Sequence, residues 1–214
     1  PSAFEVGLSF LGVEPLDAGD IVFTATARGT DATDVTCSFK VDDGAWGDYS
    51  AETALTAALA AGLHTVAVRA KNGAGAVVES SRSVRIAAEK VYLSKTSTPV
   101  PPYSTPETAA DDFKEALRYC GNGTVLHLFD GDYGVMSDAI VARTIRIETE
   151  NGPEKTSVYA ACPRDSEHVS RVARFTCEGT EVVGLTLSNG WYNVRAANQK
   201  KGTVAEQRVG LAIG

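Results

Sequence analysis

Apolar and polar residues alternate with a period of two through most of the first 88 residues, in short segments separated by turn-forming residues. The segments are "FEVGLSF" (4–10), "DIVFTATA" (20–27), "VTCSFKV" (35–41), "TALTAAL" (53–59), "LHTVAVRA" (63–70) and "VVESSRSVRI" (77–86). Alternation at this spacing predicts half-buried strands of an antiparallel β-sandwich, because successive strand side chains point to opposite faces. In "LHTVAVRA" one face carries Leu63, Thr65, Ala67 and Arg69, and the other carries His64, Val66, Val68 and Ala70. Val66 and Val68 mark the buried face, and His64 reads as a packed or half-exposed ring near the strand end. Gly and Asn in "DDGAWGD" (42–48) and "KNGAGA" (71–76) suit tight connections that need positive φ.

The grammar changes beyond residue 88. "AAEKVYLS" (87–94) leads directly into a new strand, without a flexible Gly/Ser linker. The Pro-rich loop "KTSTPVPPYSTP" (95–106) cannot be a central strand, since Pro lacks the ladder donor. Thr105 before Pro106, acidic residues after it and Gly121 beyond Cys120 predict a helix over about 106–120 with Thr105 as its N-cap. Its apolar stripe is Ala110, Phe113, Leu117 and Cys120. The following segments, "TVLHLFDGDY", "TIRIETENGPE" and "EVVGLTLSNG", are short strands closed by Gly, Asn or Asp, too closely spaced for βαβ units. The expected domains are therefore 1–88 and 89–214.

Two resemblances sharpen this picture. "CSFKVDDGAW" and "LAAGLHTVAVRAKNGAG" resemble the strands and turns of bacterial immunoglobulin-like and fibronectin-type-III-like modules. The run from "VYLSKTSTPVPPYSTPETAADDFKEALRYC" through "GNGTVLHLFDGDYGV" and "TIRIETENGPEKTSV" to "EVVGLTLSNG" resembles the start of the right-handed parallel β-helix of pectin-lyase-like bacterial surface proteins. The resemblance implies an all-β chain: an immunoglobulin-like β-sandwich, then a short right-handed parallel β-helix whose end is closed by the 106–120 helix. In-facing positions would be Leu126 and Leu128, Ile145 and Ile147, then Val183, Leu185 and Leu187. Arg146, Glu148 and Thr186 would point out. His127 would also point out, beside Val125 and Phe129 on a covered face, with Asp130, Gly131 and Asp132 forming a turn of the Asx kind. His127 is thus read as structural. The segment from Trp191 to Gly214 departs from the Gly-rich continuation of that family and leaves the last coil open.

Net charge is −7, pI is about 5.0, and no Lys/Arg cluster forms a basic stripe, so nucleic acid is not an expected partner. No apolar run approaches the ~18 residues of a membrane span. The chain starts with Pro1 instead of Met, which suggests removal of an upstream segment and permits export. Four cysteines offer at most one bridge within the second half, among Cys120, Cys162 and Cys177, while Cys37 stands alone in the first. Cys177 alternates with Ala173 and Phe175 and should be buried. No ligand spacing for zinc occurs, and neither a metal nor another cofactor is expected.

Candidate ligand-binding residues are Trp46, which could stack on a sugar ring, and Asp165, Glu167 and His168 in the polar loop "CPRDSEHVSR". Catalytic residues are not expected, because enzymes of the resembled fold carry them on more central coils. The leading expectation is a non-catalytic module of a secreted or surface-anchored bacterial protein, used for adhesion, display or contact with extracellular polysaccharide or cell-surface glycan. One alternative is the N-terminal part of a polysaccharide lyase or glycoside hydrolase with active coils beyond Gly214. The other is a structural unit that self-associates through the open end of the coil stack.

Overall fold

The structure is a computed structural model that describes residues 3–137, 139–161 and 172–188. Cys162, Asp165, Glu167, His168 and the segment from Trp191 onward lie outside the described residues. The fold is nearly all β, and it divides after Ala87 into two compact units.

The first unit contains β1 (Glu5–Phe10), β2 (Gly19–Arg28), β3 (Thr36–Val41), β4 (Ala54–Leu59), β5 (Gly62–Lys71) and β6 (Val77–Ile86). They form two antiparallel three-stranded sheets, ordered β1-β2-β4 and β3-β5-β6. Leu8, Phe23, Val66, Val68, Val84 and Ile86 meet in the core, and Phe10 packs edge-on to Phe23 at 5.7 Å between ring centroids. Burying a side chain of this size stabilises the fold by roughly 1.5–3 kcal/mol, so these positions fix the register of each strand. The tight connection after β3 takes its positive φ at Asp42 (φ 49°), and Gly44 N–H closes it on the Val41 carbonyl. Buried Asn72 ties the β5–β6 connection by accepting from Ala76 N–H and donating to the Asp31 carbonyl.

The second unit begins with β7 (Ala88–Leu93), continues with α1 (Phe113–Leu117), and then has β8 (Cys120–Leu128), β9 (Gly131–Val135) and β10 (Ala139–Val141). After these come β11 (Arg146–Thr149), β12 (Thr156–Ala160), β13 (Ala173–Phe175), β14 (Glu181–Val183) and β15 (Thr186–Ser188). All pairings among these strands are parallel, in sheets ordered β14-β11-β8-β7, β15-β12-β9 and β10-β13. Taken in chain order, β8, β9 and β10 lay one strand on each sheet, and β11, β12 and β13 do so again alongside them. Parallel strands need a crossover, and here the rest of each circuit supplies it in place of a helix.

Side chains stack in register along this winding. Val91, Leu126, Ile147 and Val182 align on the first sheet, and Tyr133, Val158 and Leu187 align on the second. Val91, Leu93, Leu126, Leu128, Ile147 and Val158 are fully buried, and Ile145 is buried beside them. Tyr133 reaches across the interior, its hydroxyl facing the carbonyls of Phe129 (2.9 Å) and Leu93 (3.2 Å). Burial first and Asp130's charge second push this phenol up to about 12, so it acts as a neutral donor.

Four expectations change. Val183 faces out and is 44% exposed; Val182 takes the inward place beside Ile147. The reason is a corner at Gly184 (φ +68°) that puts β14 and β15 on different sheets and restarts the alternation, so Leu185 and Leu187 remain inward. A side chain at Gly184 would also collide with Thr149 Oγ1, which donates to the Gly184 carbonyl at 2.6 Å. The helix is confined to Phe113–Leu117, with Asp112 and not Thr105 as its N-cap, Asp112 Oδ1 accepting from Glu115 N–H at 2.8 Å. Residues before it are held extended instead: Ala110 bridges Leu93, donating to Tyr92's carbonyl and accepting from Ser94 N–H. Thr105 and Pro106 open a turn through Thr108 N–H and Ala109 N–H. Phe113 and Ala116 are the buried helical positions, and Leu117 is half-buried. The Asp130 carboxylate takes both its contacts from the Asn151 side-chain amide of the next circuit, not from local backbone, and Asp132 lies within β9. Finally, Cys177 is only half-buried; Cys37, Cys120 and Cys177 are free thiols, and burial pushes the Cys120 thiol up.

Leu126→Ala or Ile147→Ala should cost about 2–5 kcal/mol in urea unfolding followed by circular dichroism. Val183→Ala should stay within about 0.5 kcal/mol of the parent. Equal losses at Ile147 and Val183 would reverse the assignment of the two faces.

Candidate functional site

The outward face of the four-stranded parallel sheet carries a contiguous group of ionisable and aromatic side chains. Register creates it. One cross-strand row reads Lys90, Val125, Arg146, Glu181, and the next reads Tyr92, His127, Glu148, Val183. Lateral neighbours on one sheet face lie close enough for direct side-chain contact. His127 Nδ1 lies 3.2 Å from Glu148 Oε1, and its Nε2 lies 2.7 Å from Glu150 Oε2. Tyr92 and Phe129 pack edge-on to the ring at 5.6 and 5.2 Å, which leaves the His127 side chain only 13% exposed.

Both ring nitrogens lie within hydrogen-bonding distance of a carboxylate, so the imidazole is engaged on both sides. Glu148 is also held by Arg146 Nε at 3.0 Å, and Arg146 Nη1 continues to Glu181. The Glu148 carboxyl lies below the usual carboxylate range. The Arg146 hydrogen bond is the main cause and that of His127 the next, against the opposing effect of burial. His127 therefore acts as a cross-strand tie in a closed ionic row.

Beside this row, where the strands of successive circuits end, lies a groove of about 660 Å³. Its inner part is made by Ser94 after β7, Phe129 and Asp130 after β8, and Glu150 and Asn151 after β11. Backbone bonds between circuits hold these corners in line: Phe129 N–H donates to the Leu93 carbonyl and Glu150 N–H to that of Leu128, both at 2.9 Å. The outer wall is the Pro-rich loop, with Thr96, Ser97 and Thr98 facing Pro106 and Glu107. That loop is braced by Thr98 N–H to the Glu107 carbonyl (3.2 Å) and Ser97 Oγ to the Ala109 carbonyl (2.7 Å). Phe129 stacks on Tyr92 with 6.0 Å between centroids and also lines the groove. An aromatic ring among hydroxyls, an amide and carboxylates can bind a ligand that is both polar and ring-faced.

Of the residues expected to bind ligand, Trp46 is placed in the first unit. The Arg69 guanidinium stacks over its ring at 4.0 Å and also binds Glu79, so the indole is held within a surface row. His64, also in that unit, puts Nδ1 2.8 Å from Asp42 Oδ2 and Nε2 3.0 Å from the Ala60 carbonyl. Burial alone would raise Asp42, but hydrogen bonds from His64 and from Thr65 N–H outweigh it and lower the carboxyl. Phe129, Glu107, Glu150 and Asn151 were not anticipated as site residues. The available signal was the alignment of the ends of "VYLS", "LHLFD" and "IETEN", which places the three corners side by side. Among the described residues no group of three or more His, Cys, Asp or Glu could hold a metal ion.

No family model matches the chain, and no curated protein matches it. Among solved structures, one match is the PKD1 domain of the Vibrio cholerae metalloprotease PrtV, at 12% identity and TM-score 0.33, covering 40% of this chain and 98% of that one. Another is the fibronectin(III)-like modules of Clostridium thermocellum CbhA, at 22% identity and TM-score 0.28, covering 37% and 93% respectively.

A depressed carboxyl stabilises the fold above the ordinary unfolded value of about 4.3, and that contribution fades as pH falls through the folded value. Glu148→Gln should therefore lower the melting temperature at neutral pH, by at most about 2–4 °C, because a solvent-screened ion pair contributes no more than about 1 kcal/mol. The gap should close below about pH 4 as the parent's carboxyl is protonated. Thermal scans across this range check it, and a gap of constant size down to the lowest pH would count against the ionic row.

Proposed function

We propose that the chain is a non-catalytic carbohydrate-contacting module of a secreted or cell-surface bacterial protein. On this reading the first unit is an immunoglobulin-like sandwich, supported by its two facing antiparallel sheets and shared core. The second is the opening of a right-handed parallel β-helix, supported by three parallel sheets visited in turn and by aligned in-facing aliphatic residues. The segment 106–120, with α1 inside it, serves as the end cap, in keeping with buried Phe113 and Ala116.

The groove carries the functional reading. Sugars present an apolar ring face bordered by hydroxyls, and the groove pairs Phe129 with Ser, Thr, Asn and carboxylate side chains in a space of about 660 Å³. Engagement of both His127 nitrogens favours contact over chemistry at the neighbouring row.

A glycan array should yield saturable binding. Phe129→Ala should weaken it about three- to tenfold, the range for loss of one aromatic contact, while Trp46→Ala leaves it unchanged. Undiminished binding by Phe129→Ala with loss in Trp46→Ala would move the contact surface to the first unit.

A further inference from the structure

The electrostatics of the groove select among sugars. Three of its lining residues, Glu107, Asp130 and Glu150, are acidic, and among the described residues neither Lys nor Arg lines it. Asp130 receives the neutral amide of Asn151, which leaves its negative charge uncompensated. Glu150 meets His127 on its inner side, and Glu107 stands on the outer wall beside Thr98. An acidic polysaccharide would thus bring its carboxylates against Glu107 and Asp130, which have no cationic partner among the described residues, and like charges placed together repel. A ligand with ammonium groups experiences the opposite field, while Phe129 and the hydroxyl wall still accept its ring.

We infer that the groove binds an oligosaccharide of amino sugars with free, unacetylated amines. This rests on the carbohydrate-contact reading above and deepens it. The ammonium groups sit toward Glu107 and Asp130, and a pyranose face lies on Phe129. Because both carboxylates are exposed, each contributes modestly and is screened by salt, so selectivity comes from their sum.

The test is titration calorimetry of the full chain with a glucosamine oligomer, its fully N-acetylated counterpart, a galacturonic acid oligomer and oligolysine, at low and high salt. The glucosamine oligomer should bind about tenfold more tightly than the acetylated one, lose most of that margin at high salt, and lose it in the double variant Glu107→Gln, Asp130→Asn. The galacturonic acid oligomer should be the weakest ligand. Equal affinity for the free and acetylated oligomers would overturn the inference and leave carbohydrate contact standing. Failure of every oligosaccharide to bind would overturn both. Oligolysine binding as tightly as the glucosamine oligomer would show that the groove reads amines without reading sugar.

Discussion

In-register parallel stacking of aliphatic side chains is the constraint on which the second unit depends. Val91, Leu126, Ile147 and Val182 occupy equivalent places on consecutive strands, and each is held there by the ladder of backbone bonds to its neighbours. A parallel pair cannot be closed by a tight hairpin, so the chain must travel around the other two sheets before it returns. That long path is compensated by burial at every pass: Tyr133, Val158 and Val141 line the interior on the way round. Gly184 and the Thr149 hydroxyl secure one corner, where a left-handed backbone and a close contact both exclude a side chain.

The outward face inherits its order from the inward one. Because Leu126 stacks on Ile147, His127 must stand beside Glu148, and the ring then reaches Glu150 at the end of the same strand. The groove follows from the same register, since its inner wall is a set of equivalent corners. Its acidity is local. The ionic row alongside mixes Lys90, Arg146 and His127 with Glu148 and Glu181, whereas the polar groups of the corners are acids, an amide and hydroxyls. Charge of one sign is thereby concentrated where a ligand could enter.

Much of the architecture is legible in the sequence, because strand burial leaves a period of two. Val66 and Val68, and Leu126, Leu128 and Ile147, are fully buried as that alternation requires. The misreadings occur where the period is interrupted. Val183 was placed inward by extending the alternation across Gly184, but a corner there resets it. Thr105 and Pro106 carry the capping signal for a 106–120 helix, but they open a turn instead; only residues 113–117 are helical, capped by Asp112, and Ala110 pairs with the edge of β7. The groove was harder to read because its residues are far apart in sequence and come together only through register. Glu107 joins Glu150 through the path of a loop that no local pattern specifies. Trp46 stands in the sequence as an isolated aromatic, whereas Phe129 is half-hidden in a hydrophobic run.

The strict alternation within β8 ties two properties that might otherwise vary separately. Deleting or inserting a single residue in that strand would exchange Leu126 and Leu128 with Val125 and His127, turning an imidazole into the dry interior and two leucines into water. The same slip would carry Phe129 away from the corner it shares with Glu150. Length change in the strand is therefore penalised as misfolding, and the outward row is held in place by the same register that keeps the interior intact. Variation compatible with folding is left to side-chain identity at the corners, where substitutions such as acid to amide change the charge of the groove without disturbing the wall.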